Sequence, residues 1–394
     1  MSILLRQIKA VILINLVSIR SRGFTTIVTL FSVAVVVAVL LAFLAMSNGF
    51  DMTMKNSGSD AIGIAIRGGS QGEINSALSI EDIKLLEDSP GIARNENGQI
   101  SSPELYVIVT GIKRSTKTET NLSLRGLSAQ GVTLRPNVKI SEGRMFEPGR
   151  GEVVVGRRIF NDYEGFELGD MIKLGRAEWK VVGIFTSNGS VHESEIWADV
   201  KTVQSQFNRG NSYQVLRFAL DKNGDLDQIS KHIGRNPQLS VDVFTEEEYF
   251  ANQAEGLKLF INLGWFLSIM MALGALAGAL NAMYTSVEQR SLEIATLRAI
   301  GFRGTAAFAG TLVESLFVSI IGGLIGAITA FLFFNGMTGS TLGATSFTQI
   351  VFDFQLSPES VKLGMTIAIA IGLIGGVFPA LKAARIPVVK AFSL

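Results

Sequence analysis

Four long apolar runs, one near the start of the chain and three at its end, constrain its fold more than any other feature. They occupy residues 25–46, 259–283, 305–334 and 361–381. Each reaches or exceeds the roughly 20 residues a helix needs to cross a bilayer. A helix is expected because hydrocarbon offers backbone N–H and C=O groups no partner. Residues 47–258, between the first run and the second, are polar enough to form an aqueous domain. One span, a large soluble insertion and three further spans describe a membrane machine.

Composition agrees. The chain is 47% hydrophobic and 18% charged, with a mean hydropathy of +0.36, which fits a membrane protein carrying a soluble domain. A formal net charge of +1 gives no reason to expect nucleic acid. The absence of cysteine excludes disulfides, zinc–thiolate sites and a lipoprotein anchor.

Short-loop charges orient the spans. Arg6, Lys9, Arg20 and Arg22 precede the first run; Arg290, Arg298 and Arg303 follow the second; Lys382, Arg385 and Lys390 follow the fourth. Residues 335–360 contain no Lys or Arg. By the positive-inside rule both termini are cytoplasmic and the large domain is periplasmic. A cleaved signal peptide is the rival reading of the first run, which exceeds the 7–15 apolar residues of a signal core.

The expected organisation is an interfacial amphipathic helix over 1–23, a first transmembrane helix over 24–49 and a periplasmic α+β domain over 50–250. A stalk end and second transmembrane helix follow over 251–285, then a coupling loop or helix over 286–303. A third transmembrane helix over 304–335, a short periplasmic loop over 336–360, a fourth over 361–382 and a tail over 383–394 complete the chain. In the first segment Leu4, Ile8, Val11, Ile12 and Asn15 recur at helical spacing. Arg20, Ser21, Arg22 and Gly23 read as a corner. An N-terminal extension of the first span remains open.

In the external block, strands are predicted over 105–112, 121–127, 152–155, 170–174, 178–185, 213–220 and 239–244. Helices are predicted over 80–88, 157–164, 201–207 and 226–233. The mixture indicates an α+β domain, expected to comprise two subdomains. Residues 246–258 read as a helix running unbroken into the second span, a stalk able to transmit motion. Catalytic chemistry is not evident. His192 and His232 are the two histidines; His192 to Glu195 reads as a solvated loop rather than a metal site. Glu246 to Glu248 read as an exposed helix start, where acids suit the dipole. No catalytic or metal-binding residues are expected.

Three spans carry glycines four apart: Gly274 and Gly278, Gly322 and Gly326, Gly372 and Gly376. Small residues at this spacing let helix backbones approach closely. The triplicate pattern predicts a tight bundle, within one chain or across a dimer. Glu314 is the isolated carboxylate within a span. It is a candidate intramembrane polar site, weighed against a structural hydrogen bond, and Gln is expected to be tolerated there. The spans lack the repeated acids of an ion-coupled carrier.

After the second span the chain reads Glu288-x-Arg290-x-x-Glu293-Ile-Ala-x-Leu-Arg-Ala-x-Gly301. This is a short amphipathic helix with a glycine C-cap. The pattern resembles the signature loop of MacB/FtsX-type ABC transporter permeases, the type VII or mechanotransmission group. Pro379-Ala380-x-x-Ala383-Ala384-Arg385-x-Pro387 is similar to the family's last-span exit. Glu142-Gly-Arg-x-Phe146, Gly151-Glu-Val-Val-Val-Gly156, Leu168-Gly-Asp170 and Val181-Val-Gly-Ile184 resemble the MacB-type periplasmic core.

The resemblance covers essentially the whole chain. It implies a dimer of four-span subunits, homomeric or with a paralogue, in the bacterial inner membrane. It also implies an ABC ATPase partner engaging Glu288, Arg290, Glu293, Ile294, Leu297, Arg298 and Gly301. No Gly-x4-Gly-Lys-Ser/Thr phosphate loop is present, so ATP and Mg are expected on the partner and no cofactor on this chain. The leading expectation is an efflux permease working with a periplasmic adaptor and an outer-membrane channel. A lipoprotein-releasing permease of the LolC/LolE type and an FtsX-like activator of a cell-wall hydrolase are the alternatives. A conventional ion-coupled carrier comes last.

Overall fold

The computed structural model describes residues 3–18, 23–96, 98–221, 226–342 and 349–391. The chain begins with helices α1 (Ile3–Ser18) and α2 (Gly23–Lys55), then β1 (Ile62–Arg67), α3 (Ile80–Glu87), β2 (Arg94–Asn95), β3 (Gly98–Gln99), β4 (Ser101–Ile112) and β5 (Glu119–Leu127). It continues with α4 (Ala129–Thr133), β6 (Lys139–Gly143), β7 (Glu152–Gly156), α5 (Arg157–Asp162), β8 (Met171–Leu174), β9 (Ala177–Thr186) and β10 (Glu195–Asp199). Next come α6 (Val200–Gln206), β11 (Val215–Ala219), α7 (Leu226–Gly234) and β12 (Val241–Thr245). Helices α8 (Glu246–Gln289), α9 (Ser291–Ala299) and α10 (Gly304–Phe334), strands β13 (Thr338–Leu342) and β14 (Gln349–Asp353), and α11 (Pro358–Arg385) complete it. The corner expected at Arg20, Ser21 and Arg22 lies outside the described residues.

The chain divides into two compact units. A helical unit comprises Met1–Asn48, Phe260–Met337 and Phe354–Leu394; a sheet unit comprises Gly49–Leu259 and Thr338–Asp353. Four helices are long and apolar enough to cross a membrane, over Thr26–Lys55, Asn262–Gln289, Gly304–Phe334 and Pro358–Arg385.

Glycines decide how the helical unit packs. A Cβ on Gly322 would lie 2.9 Å from Leu30 O, and one on Gly326 would lie 2.4 Å from Ala34 O, so α10 rides directly on the α2 backbone. On α11, Gly372 and Gly376 face Ser319 and Ser315 of α10 at 2.8 and 2.7 Å. Val33, Val37, Leu41, Ala275, Ala279 and Ala368 fill the core. The remaining pair behaves differently. Gly274 and Gly278 of α8 have nothing within 4 Å. Their neighbours Ala275 and Ala279, rotated by one residue, turn inward instead. The expected packing role of Gly274 and Gly278 is therefore not met within this chain.

The sheet unit holds a ten-stranded sheet in the order β12-β1-β11-β4-β5-β10-β7-β9-β6, with β8 beside β9. Strand β4 makes it continuous. Ser101 to Glu104 pair with β11, and Leu105 to Ile112 pair with β5. Strands β5 and β10, and β7 and β9, are parallel; the other pairs are antiparallel. Leu105, Leu124, Val153, Trp179, Ile184, Ile196 and Phe218 form the core. Ser79 starts α3 with a capping box, accepting from Asp82 N while its own N–H reaches the Asp82 carboxylate.

The segment expected as a short loop over 336–360 contains the β13–β14 hairpin, part of the sheet unit. Arg158 of α5 donates to Val351 O and pairs with Asp353 at 3.4 Å. Phe352 meets Phe50 edge-on at 5.3 Å.

Candidate functional site

The residues singled out between the second and third spans converge at one end of the helical unit. Arg290 occupies the joint between α8 and α9. Its backbone leaves helical geometry (φ −101°, ψ 7°), yet Ile294 N still donates to Arg290 O at 2.9 Å. The side chain turns inward and is 6% exposed. Its Nη1 meets Glu314 Oε2 at 3.2 Å, its Nη2 donates to Asn15 Oδ1, and its Nε donates to Glu293 Oε2 at 3.2 Å. One guanidinium therefore ties α1, α9 and α10 together.

This arrangement corrects two expectations. Arg290 and Ile294 do not present themselves to a partner. A guanidinium removed from water needs every donor satisfied, and Glu314, Asn15 and Glu293 supply the acceptors. Ile294 joins Val287, Ala295, Ala307, Ala383 and Ile386 in a small apolar cluster. Glu314 pairs with Arg290, which favours the structural hydrogen bond over a functional intramembrane site.

The far end of α9 is held as firmly. Gly301 adopts φ +104°, the left-handed conformation that closes helices and favours glycine. Phe302 N then donates to Leu297 O at 3.1 Å. Gln7 of α1 donates from Nε2 to Gly301 O at 3.0 Å and accepts from Arg303 N at 3.4 Å. Arg298 donates to Ile386 O, just beyond α11. With both ends fixed, α9 keeps one face outward. Leu292, Glu293 and Ile300 are exposed, and Leu297 is half-buried. Glu288 is exposed one turn earlier and pairs with Lys382 at 2.9 Å.

Asn15, Gln7 and Ile300 were not assigned to this site from sequence. Asn15 carried a signal, being a polar residue in an apolar stripe. Gln7 and Ile300 carried none.

A second constellation lies in the sheet unit. Arg125, Arg135 and Arg217 interleave with Glu73, Glu104, Glu195 and Glu246, all buried. Arg125 grips Glu195 at 2.7 and 2.9 Å, Glu73 at 2.7 Å and Glu104 at 2.9 Å. Arg135 makes two bonds to Glu104 at 2.7 and 2.8 Å. Arg217 reaches Glu73 at 2.9 Å and also pairs with Glu246, the first residue of α8. His192 lies between acids, 3.5 Å from Glu195 and 4.0 Å from Glu246.

Burial opposes the charge on Glu104, but Arg135, Arg125 and Arg217 outweigh it and hold its pKa at about 2. Glu195 is likewise held well below the carboxylate range: burial pushes up, Arg125 and His192 pull down further. Burial pushes the His192 pKa down, with Glu195 opposing. Two expectations fall here. His192 to Glu195 are not a solvated loop but a buried turn entering β10. Glu246 is not an exposed helix start; it is 4% exposed and paired.

Comparisons with known proteins agree with this architecture. The chain matches the family model for the MacB-like periplasmic core domain over residues 26–235. It matches that for the FtsX-like permease C-terminal over residues 265–388. It is similar to the macrolide export ATP-binding/permease protein MacB of Hyphomonas neptunium, 25% identical over 95% of this chain and 59% of the relative. MacB of Escherichia coli is 24% identical over 80% of this chain and 50% of the relative. An uncharacterised ABC transporter permease of Methanocaldococcus jannaschii is 24% identical over 63% of each. The chain thus spans about half the length of the curated MacB relatives it matches. Among solved structures, the periplasmic region of MacB from Actinobacillus actinomycetemcomitans aligns with a TM-score of 0.37 at 12% identity, covering 50% of this chain and 94% of that one.

Proposed function

The chain belongs to the MacB/FtsX-type ABC transporter permeases, and we propose that it is the permease subunit of an ATP-driven exporter. Its 394 residues hold no phosphate loop, so hydrolysis is assigned to an ABC ATPase outside them, which binds ATP and Mg. The outer face of α9 is the docking surface: Leu292, Glu293, Leu297 and Ile300, flanked by Glu288. The observation that carries this reading is that α9 is pinned at both ends, through Arg290 and Gly301, while this face stays open. A pinned helix passes a push into α1, α10 and α11 instead of absorbing it.

Helix α8 is the transmitter. Its 44 residues extend about 66 Å at 1.5 Å per residue, more than twice the roughly 30 Å hydrocarbon core. Its first residue, Glu246, is tied into the sheet by Arg217. Motion imposed at the α9 end is thereby delivered to the external domain. The chain works as a dimer, with a second copy or a paralogue, in a bacterial inner membrane. Both termini are cytoplasmic and the sheet unit is periplasmic. There it meets an adaptor that leads to an outer-membrane channel, in a mechanotransmission cycle of the type VII kind.

The test is gentle purification of the tagged chain from its native membrane, with mass spectrometry of what accompanies it. An ABC ATPase with a periplasmic adaptor is expected. An ATPase with a lipoprotein chaperone or a wall hydrolase would replace the efflux reading. An intact complex without any ATPase would overturn the assignment.

A further inference from the structure

A groove of about 640 Å³ opens between the ends of α8 and α11 nearest α9. Tyr284, Phe378 and Leu381 form its apolar wall, and Glu288, Ser291, Lys382 and Arg385 its polar end. We propose that this groove binds the headgroup of an acidic phospholipid, its phosphate on Arg385 and Lys382 and its acyl chains along α11.

Charge carries the first part of the argument. Lys382 Nζ is 2.9 Å from Glu288 Oε2 and sits 5.6 Å over the Tyr284 ring. Arg385 is exposed, and among the described residues it has no acidic partner. Two cations against one carboxylate leave one excess positive charge, which a monoanionic phosphodiester balances. Topography carries the second part. Ile374, Phe378 and Leu381 lie in one exposed apolar row on α11 that leads into the groove. Lys382 and Arg385 close that row at the end of the span, the depth at which a bilayer places its phosphates. Basic pockets between helix ends suit acidic headgroups for this reason. A docked protein would supply acids for the cations but no chains for the row of Ile374, Phe378 and Leu381.

The inference rests on the chain being membrane-embedded, not on which way its termini face. The experiment is native mass spectrometry of the full chain, titrated in detergent with short-chain phosphatidylglycerol, phosphatidylethanolamine or phosphatidylcholine. Phosphatidylglycerol is expected to bind most tightly. Arg385→Gln should weaken it about five-fold, the effect of one charge near the surface, and Glu288→Gln should strengthen it. Equal retention of the three lipids, or an unchanged preference in Arg385→Gln, overturns the proposal. So does a result in which Arg385→Gln spares the lipid and instead releases the copurified ATPase. Flotation of the chain with phosphatidylglycerol/phosphatidylcholine vesicles is the separate control: failure to float would contradict the membrane reading itself.

Discussion

Arg290 and Glu104 show why charged residues must be read by their surroundings. Both lie in segments where a charge reads most simply as a solvated surface group, yet each is enclosed by counter-charges. Removing one member of a buried pair typically costs a few kcal/mol, because the other is left uncompensated. Arg290→Gln should therefore lower the thermal stability of the purified chain by on the order of 3 kcal/mol. Glu314→Gln should be milder, since Gln keeps an acceptor for Arg290. Equal, negligible effects from both would contradict the tie. In the sheet unit, the arginines around Glu104 outweigh its burial and hold its pKa at about 2 when folded, below the ordinary carboxylate value of 4.5. It binds fewer protons folded than unfolded, so its contribution is complete above about pH 4.5 and is lost as pH falls towards 2. Unfolding followed through Trp179 and Trp197, both buried in the sheet unit, should show stability falling across that window. In Glu104→Gln that slope should be shallower and stability at neutral pH lower. The ion cluster was invisible in sequence because its members lie on β4, β5, β10, β11, the start of α8 and, for Glu73 and Arg135, between the strands, far apart in the chain and brought together by the fold.

At the level of elements, periodicity fixes which residues share a face but not which face is buried. The glycine pairs illustrate the difference. Gly322, Gly326, Gly372 and Gly376 meet backbone or short side chains at under 3 Å, whereas Gly274 and Gly278 meet nothing. Gly326→Ala must displace the α2 backbone and should destabilise the bundle measurably in a thermal melt. Gly274→Ala should leave the isolated subunit unaffected. A melt in which the two substitutions behave alike would show that these glycines do not set the packing. Helix α9 was legible as an amphipathic helix with a glycine cap, and both features are present. The burial of Arg290 was not, because an arginine after a long apolar helix ordinarily points to water. The β13–β14 hairpin was missed for another reason: two five-residue strands in a short stretch without Lys or Arg look like a linker.

For the whole molecule, the four spans and the α+β insertion were readable because the bilayer imposes a length and a polarity that no soluble fold needs. What the spans accomplish is not written in them. In the proposed cycle the energy source lies outside these residues, the contact on α9 and the delivery along α8. The outer face of α9 is the proposed link between the ATPase and the bundle. The most direct measurement is ATP hydrolysis by the copurified ATPase in proteoliposomes containing either the wild-type chain or Glu293→Arg, with equal insertion and melting temperature verified. Wild type should stimulate hydrolysis, and Glu293→Arg should lose most of that stimulation, because it reverses the exposed charge of the outer face; Glu293 is also one of the three acceptors of Arg290, which is why the melting temperatures must match. Equal stimulation by the two chains would contradict the account.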